Sequence, residues 1–183
     1  MSQNLQPTTS NEAPTSDVPK ARAVQVRNLS RIFCGVLALV VFLADQATKA
    51  MLERSIPEHA VIPIIPGWLN LTHAKNPGAA FSLFADSPAP WKTALLVVVS
   101  AALLAVVTWL VLRTSKLHWE AGVGLSLIVG GAASNLLDRI RVGRVVDFID
   151  VFFRTYHWPS FNLADSAIVV GAGFLILHYL FSE

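Results

Sequence analysis

Polar side chains occur inside or beside long apolar stretches of this 183-residue chain. An ionisable group costs about 2.5–3.5 kcal/mol at the centre of a membrane-spanning helix, so such groups are candidates for function. The residues in question are Asp45, Lys49, Asn135, Asp138, Arg139, Asp147, Asn162 and Asp165. Carboxylates dominate this set. Two close carboxylates in a site of low dielectric share a proton, so together they offer an acid and a base. That chemistry serves peptide hydrolysis by water.

Other site chemistries have less support in the sequence. The five histidines are scattered without the spacing of metal ligands, so no metal centre is predicted: His59, His73, His118, His157 and His178. No serine within an apolar stretch has a neighbouring His or Lys to act as its base. No Gly-rich phosphate loop is present either, so we expect no metal or organic cofactor. A net charge of +2 without a basic stripe argues against nucleic-acid binding.

Two pairs of charged residues have the spacing of structural ion pairs. Asp45 precedes Lys49 by four residues, and Asp138 directly precedes Arg139. A basic partner keeps an acid ionised and unable to donate a proton. We therefore expect these two acids mainly to fix helix ends.

The roles of Asp147 and Asp165 stay open at the level of spacing. Neither has an adjacent basic residue. Asp165 also suits a position near a helix N-terminus, where an acid is favoured. Asp147 also fits a loop acid, although its neighbours are apolar, whereas Asp86 and Asp150 look like solvated acids.

Composition and hydropathy predict the elements that position these residues. The chain is 54% hydrophobic and only 14% charged, against about 25% charged in a soluble domain. Four apolar segments cover residues 31–52, 91–112, 117–137 and 161–181. About 20 helical residues cross a hydrocarbon core of about 30 Å, and lipid forces each span to be helical. The predicted fold is an all-α membrane core, a bundle of four transmembrane helices.

The remaining segments differ in character. Residues 1–28 are polar and predict a disordered tail rather than a signal peptide, so residues 29–183 form the membrane domain. The 53–90 segment alternates apolar residues with turn residues, which predicts a small sheet on one membrane face. The 138–160 connection is too apolar for a solvated loop. Small residues in the third span, among them Gly124, Gly130 and Gly131, predict close helix packing.

An up-and-down topology of four spans places both termini on one side. It gathers the polar residues on the opposite face, which also carries the 53–90 segment. Basic residues before the first span, such as Lys20, Arg22 and Arg27, favour a cytoplasmic N-terminus, but arginines on the other side leave a bare count undecided.

Five sequence blocks resemble the lipoprotein signal peptidase (signal peptidase II) family. They are 45–49 (DQATK), 76–82 (NPGAAFS), 130–139 (GGAASNLLDR), 145–148 (VVDF) and 161–166 (FNLADS). Each block alone is weak, but all five occur in order on a four-span chain. The resemblance covers the chain from the first span onwards. It departs from the family at Ser134, where glycine is usual.

The resemblance implies an aspartic endopeptidase of the bacterial inner membrane. Such an enzyme cuts the signal peptide from a prolipoprotein just before a cysteine that carries diacylglycerol, and it also contacts membrane lipids. The resemblance also implies that Asp147 and Asp165 are the catalytic pair, that both termini are cytoplasmic and that the site lies near the periplasmic face. The matching positions expected to bind substrate or support the pair are Asp45, Lys49, Asn76, Gly78, Asn135, Asp138, Arg139, Asn162 and Ala164.

Two other functions compete with this one. A small proton-coupled membrane transporter would use Asp45, Lys49, Asp138 and Asp165 as a proton relay. It would need polar groups throughout the membrane depth and an inverted repeat, and the sequence shows neither. A non-catalytic scaffold would explain the small residues of the third span but would leave the aspartates without a role.

Overall fold

The computed structural model describes the backbone of residues 18–78, 90–113 and 118–181, and the side chains of residues 30–78, 91–113 and 118–181. The described elements, in chain order, are α1 (Val18–Ser55), β1 (Val61–Ile65), β2 (Leu69–Asn76), α2 (Pro90–Arg113), α3 (Trp119–Val142), β3 (Val145–Phe153), β4 (Tyr156–His157) and α4 (Leu163–Phe181). Four helical stretches in these ranges are long and apolar enough to cross a membrane: Ser30–Ser55, Trp91–Arg113, Trp119–Val142 and Leu163–Phe181. The predicted four-helix membrane core is confirmed.

The first helix begins earlier than the sequence predicted. It starts at Val18, inside the segment expected to be a disordered tail, while residues 1–17 lie outside the described residues. Pro19 stands at the helix start, where a missing amide hydrogen costs nothing. Beyond it, extending a helix that already exists avoids the cost of nucleation. The prediction of disorder is therefore wrong for residues 18–28.

Helix α3 packs closely against α1 and α4 through its glycines. A Cβ atom on Gly131 would lie 2.5 Å from the carbonyl oxygen of Ala164, and one on Gly124 would lie 2.7 Å from that of Gly171. A Cβ on Gly130 would collide with the carbonyl oxygen of Ala38 in α1. The prediction that this helix uses small residues for packing is confirmed. By contrast, no described residue of α2 is buried within the chain, as expected for a helix that faces lipid.

The end of α3 leads directly into the sheet. Gly143 adopts the left-handed conformation with φ 74°, and its N–H donates to the carbonyl of Arg139 at 3.0 Å. Glycine adopts this conformation without strain, which is why it commonly ends helices. The chain then enters β3 at Val145.

A four-stranded antiparallel sheet with the order β1-β2-β3-β4 lies at this end of the bundle. Strands β1 and β2 come from the 53–90 segment, as predicted, but β3 and β4 come from the connection between α3 and α4. The sheet is therefore not confined to the segment between the first two spans. Leu52 of α1 and Ile56, the residue that follows α1, form a buried apolar cluster with Val146 and Phe148 of β3, and this cluster fixes the sheet to the bundle.

Candidate active site

The start of α4 is held against β3 by backbone hydrogen bonds. Phe161 forms an isolated bridge with Ile149: the Ile149 N–H donates to the Phe161 carbonyl at 2.8 Å, and the Phe161 N–H donates back at 3.1 Å. The next residue, Asn162, is thereby placed beside Asp147 on β3. Asn162 is fully buried and Asp147 is 3% exposed.

Asn162 and Asp165 cap the first turn of α4 reciprocally. The Asn162 side-chain oxygen accepts from the Asp165 N–H at 2.9 Å, and the Asp165 carboxylate accepts from the Asn162 N–H at 3.2 Å. This is the capping-box pattern, which satisfies two amides that a helix leaves unpaired. The capping role expected of an acid at a helix N-terminus is therefore real, and it also fixes the Asp165 side chain in space.

Asn162 also connects the two aspartates. Its amide nitrogen donates to Asp147 Oδ1 at 2.8 Å, while its oxygen accepts from Asp165 as described. A second amide serves each acid: Asn76 Nδ2 donates to Asp147 Oδ2 at 3.0 Å, and Asn135 Nδ2 donates to Asp165 Oδ1 at 2.8 Å. Both carboxylates are thus oriented by neutral donors and have no cation in direct contact among the described residues.

Lys49 lies at the centre of a second layer of polar contacts. Its ammonium lies 2.6 Å from Asp45 and 2.6 Å from Asp138, and it donates to Asn135 Oδ1 at 2.9 Å. The same Asn135 presents its amide nitrogen to Asp165. Lys49 therefore orients the amide that holds Asp165, and it neutralises two acids without touching the Asp147–Asp165 pair.

Asp45 ties three helices together. Its side chain in α1 is fully buried and accepts from the Ala164 N–H of α4 at 2.9 Å and from Ser134 Oγ of α3 at 2.7 Å. Gln46 Nε2 donates to Ser134 Oγ at 2.9 Å and to Asp138 Oδ1 at 2.7 Å. Sequence reasoning missed Gln46, and it treated Ser134 only as a packing residue. A polar residue one position after Asp45 was the available signal.

Arg139 does not pair with Asp138, so that predicted ion pair is wrong. Its guanidinium donates instead to the carbonyls of Asn135 and Gly78, each at 3.2 Å. Residues i and i+1 of a helix point about 100° apart, so adjacent charges do not face each other. Arg139 instead holds the loop after β2, where the Gly78 N–H also donates to Asn76 Oδ1 at 2.9 Å.

A cavity of about 520 Å³ opens beside the two acids. Asp147, Asp165, Asn76 and Arg139 contribute polar groups to its wall. Apolar residues of α4 and of the segment before it form most of the remaining wall, namely Trp158, Pro159, Phe161, Ile168, Val169 and Val170. The two carboxylates therefore line a mostly apolar cavity.

Burial raises the pKa of Asp147 from 3.8 to about 6. Hydrogen bonds from Asn76 and Asn162 oppose the rise, and the nearby charge of Asp165 adds to it. The surrounding cluster has four carboxylates, those of Asp45, Asp138, Asp147 and Asp165, and two cations, Lys49 and Arg139. A surplus of buried acid over base favours retention of a proton on one carboxylate.

Two further expectations require correction. Asp150, expected to be solvated, is 7% exposed, because Asn70 Nδ2 donates to it at 2.9 Å and His157 Nδ1 lies 2.9 Å away. The histidines are not all scattered, because His118 and His178 meet beside Glu120 at the far end of α3 and α4. The prediction about Asp86, and those about the rest of residues 79–89 and about residues 114–117, lie outside the described residues.

Comparisons with known proteins bear on this site. The family profile described as Signal peptidase (SPase) II matches residues 37–181. A lipoprotein signal peptidase of Desulforapulum autotrophicum is 41% identical over 160 residues, which cover 87% of this chain and 98% of that protein. One from Geobacter sulfurreducens is 43% identical over 153 residues, covering 84% and 94%. A solved bacterial membrane enzyme superposes with a TM-score of 0.72 at 29% identity, covering 81% of this chain and 87% of that one.

Proposed function

The chain belongs to the signal peptidase (SPase) II family, and from that membership we infer that it is a membrane peptidase that removes signal peptides from prolipoproteins. We further propose that it is an aspartic endopeptidase in which Asp147 and Asp165 are the catalytic pair. The substrate is a diacylglyceryl-modified prolipoprotein, and the cut falls just before the lipid-bearing cysteine. The comparisons give no support to the proton-coupled transporter.

The observation that carries the aspartic assignment is the hydrogen bonding of Asn162. This one buried side chain donates to the Asp147 carboxylate and accepts from the backbone N–H of Asp165. A further amide, rather than a cation, contacts each carboxylate. Asp45 and Asp138, by contrast, both contact Lys49. Only a carboxyl group without a cationic partner can readily keep a proton, so Asp147 and Asp165 are the acids suited to share one.

In the proposed reaction one acid of the pair is ionised and the other is protonated. The ionised acid takes a proton from a water molecule, which attacks the scissile carbonyl carbon. The protonated acid donates a hydrogen bond to the carbonyl oxygen as it gains negative charge. The tetrahedral intermediate then collapses, the C–N bond breaks, and a proton passes to the leaving amine. The pair titrates as a unit, and no cofactor takes part in these steps.

The cavity beside the pair supports a lipid-bearing substrate. Its wall of α4 residues, including Ile168 and Val169, can accept acyl chains, while Asn76 and Arg139 line the same cavity as the two acids. Burial of apolar chains contributes about 25 cal/mol per Å² of surface removed from water. The bound acyl chains would also exclude water from around the acids. The remaining supporting residues hold the site in place. Ala164 does so through its backbone N–H, which donates a hydrogen bond to Asp45.

We also propose that the protein spans the bacterial inner membrane with both termini in the cytoplasm. The sheet and the acid pair then lie near the periplasmic face. The cluster of basic residues before the first span supports this orientation.

The decisive experiment is cleavage of a diacylglyceryl prolipoprotein by the purified protein in detergent. Asp147→Asn and Asp165→Asn should each abolish product formation while the protein remains folded. Asp150→Asn is the matched control, because Asp150 is also a buried acid of β3 with an amide partner. Residues three apart on a strand point to opposite faces, so Asp150 lies away from the pair.

Activity in Asp147→Asn or Asp165→Asn would contradict the assignment, provided the wild type is active. An inactive but folded Asp150→Asn would show that loss of any buried acid of β3 is enough to stop cleavage. The aspartic pair would then need another proof.

A further inference from the structure

A cluster of metal-ligating side chains lies at the end of the bundle remote from the acid pair. Helices α3 and α4 are antiparallel, so the start of α3 meets the end of α4. The rings of Trp119 and Phe174 lie 6.3 Å apart there, and those of His118 and His178 lie 5.1 Å apart. His118 precedes Asn135 by 17 residues, which at 1.5 Å per residue is about 25 Å along the helix.

The cluster consists of His118, Glu120 and His178. One potential ligand atom from each residue lies within 4.8 Å of the other two. His178 Nδ1 is 4.0 Å from Glu120 Oε2, too long for a hydrogen bond. That carboxylate oxygen is shielded from solvent and has no hydrogen-bond donor among the described residues. The Glu120 side chain as a whole is 32% exposed, but this one oxygen is shielded, and a shielded acceptor without a partner is unfavourable.

Helix electrostatics explain these residues only one at a time. Glu120 lies in the first turn of α3 and His178 in the last turn of α4, where an acid and a base respectively are favoured. This effect does not require the three side chains to converge. It also leaves the Glu120 Oε2 atom without a hydrogen-bond partner among the described residues.

We propose that His118, Glu120 and His178 bind a divalent transition-metal ion of the zinc class. Two imidazoles and a carboxylate are a known zinc donor set, with bonds of about 2.0–2.2 Å in tetrahedral geometry. Ligand atoms around such an ion lie roughly 3.3 Å apart. Small side-chain rotations would therefore close the present spacing. His118 is exposed, so the fourth position is open to water.

The bound ion would link the start of α3 to the end of α4. A ligand that binds only the folded state stabilises it by mass action. The expected role of the ion is therefore to hold together two helices, one of which, α4, carries Asp165 at its other end. Other divalent ions of the first transition row, such as cobalt, nickel and copper, bind the same kinds of ligand. The test therefore begins with zinc and includes cobalt as a second metal.

The test is titration of the full-length chain in detergent with Zn²⁺, after removal of any affinity tag, by isothermal calorimetry. The wild type should bind one ion, and its thermal midpoint should rise on addition of zinc. His118→Ala, His178→Ala and Glu120→Gln should each weaken binding by about a hundredfold or more. Even loss of a hydrogen bond to a metal ligand, with the ligand itself kept, lowers metal affinity by about 10–100-fold. Titration with Co²⁺ should give a visible absorption band in the wild type only.

His59→Ala is the matched control. His59 is an exposed histidine beside an acid, but Glu58 is already paired with Lys75 at 2.6 Å. Its removal should leave zinc binding unchanged. Signal-peptide cleavage should persist in all these variants, which shows that they are folded. If a histidine variant does not fold, the nearly isosteric Glu120→Gln decides. Absence of stoichiometric zinc binding by the wild type, or equal binding by folded Glu120→Gln, would overturn the proposal.

Discussion

At the scale of single residues, the acids of the site fall into two groups that differ in their hydrogen-bond and ion-pair partners. Lys49 contacts Asp45 and Asp138, whereas amides hold Asp147 and Asp165. An amide orients a carboxyl group in either protonation state, because its nitrogen donates and its oxygen accepts. Asn162 uses both atoms: its side-chain nitrogen donates to the Asp147 carboxylate, and its side-chain oxygen accepts from the Asp165 backbone N–H. In the proposed mechanism, this division allows Asp147 and Asp165 to share a proton in a cluster that also contains two cations.

The raised pKa of Asp147 makes the proposed activity dependent on pH. A pair that needs one proton loses it as the pH rises through about 6, the pKa to which burial raises Asp147. We therefore expect kcat/KM, which reports the free enzyme, to fall above that pH. Asn76 stabilises the ionised form, so Asn76→Ala should move the alkaline limb to higher pH. Asn70→Ala removes the same kind of bond from Asp150 and should leave the limb in place. An unshifted limb in Asn76→Ala would contradict the assignment of that limb to Asp147.

A second residue-scale prediction concerns Lys49. Lys49→Met leaves Asp45 and Asp138 without their shared cation, and both are buried or nearly so. Breaking a buried pair from one side costs about 3–5 kcal/mol. We expect a large fall in the thermal midpoint of the purified protein in detergent. Lys75→Met breaks a pair with Glu58 that is open to solvent, so it should change the midpoint little. Equal effects of the two variants would show that the Lys49 contacts are not the stabilising ones.

At the scale of elements, close packing of α3 sets the position of the acid pair. Gly131 lies against the backbone of Ala164, one residue before Asp165. Gly131→Ala would push the start of α4 away, and overpacking of this kind costs about 1–3 kcal/mol. We expect a lower thermal midpoint together with reduced cleavage. The control is Gly173→Ala, because a Cβ there meets nothing within 4 Å. A neutral Gly131→Ala would mean that α3 and α4 can separate without affecting the site.

The elements also show what the sequence could and could not predict. The four spans followed from length and hydropathy, because lipid leaves the backbone no alternative to helix. The Asp45–Lys49 pair followed from i,i+4 spacing, since such residues share a helix face. Strand β3 was not predicted. Its apolar run becomes a strand through pairing with β2, and that pairing joins Asn76 to Asp147 across 71 residues.

Contacts between distant segments explain the other errors. Asp138 finds its cation on α1, not at the neighbouring Arg139. His118 and His178 are 60 positions apart, and only the antiparallel packing of α3 and α4 brings them together. Residue types and local spacing selected candidate side chains, and the structure brings many of them into contact around Lys49, Asn135 and Asn162. The resemblance to a family supplied the assignment of the catalytic pair, which spacing alone had left open.

At the scale of the whole molecule, the fold is divided into two ends. The sheet comes from the connections α1–α2 and α3–α4, which an up-and-down bundle places on one side. The acid pair lies at this end of the bundle, with Asp147 in β3 of the sheet and Asp165 in the first turn of α4. The proposed metal-binding cluster lies at the opposite end, where the end of α2 contacts the start of the spanning part of α1. The proposed chemistry and the proposed metal site therefore face different aqueous compartments.

Labelling of single cysteines tests this division and the proposed orientation together. Cys34 is the only cysteine and is buried, so Cys34→Ala gives a background without thiols. In that background, His59→Cys lies between α1 and β1 on the sheet side, and Trp119→Cys lies at the start of α3; both positions are exposed. In intact cells with a permeable outer membrane, an impermeant maleimide should label His59→Cys alone. Trp119→Cys should react only after the inner membrane is opened. The reverse pattern would place the sheet and the acid pair in the cytoplasm, and labelling of both positions in intact cells would contradict the four-span topology itself.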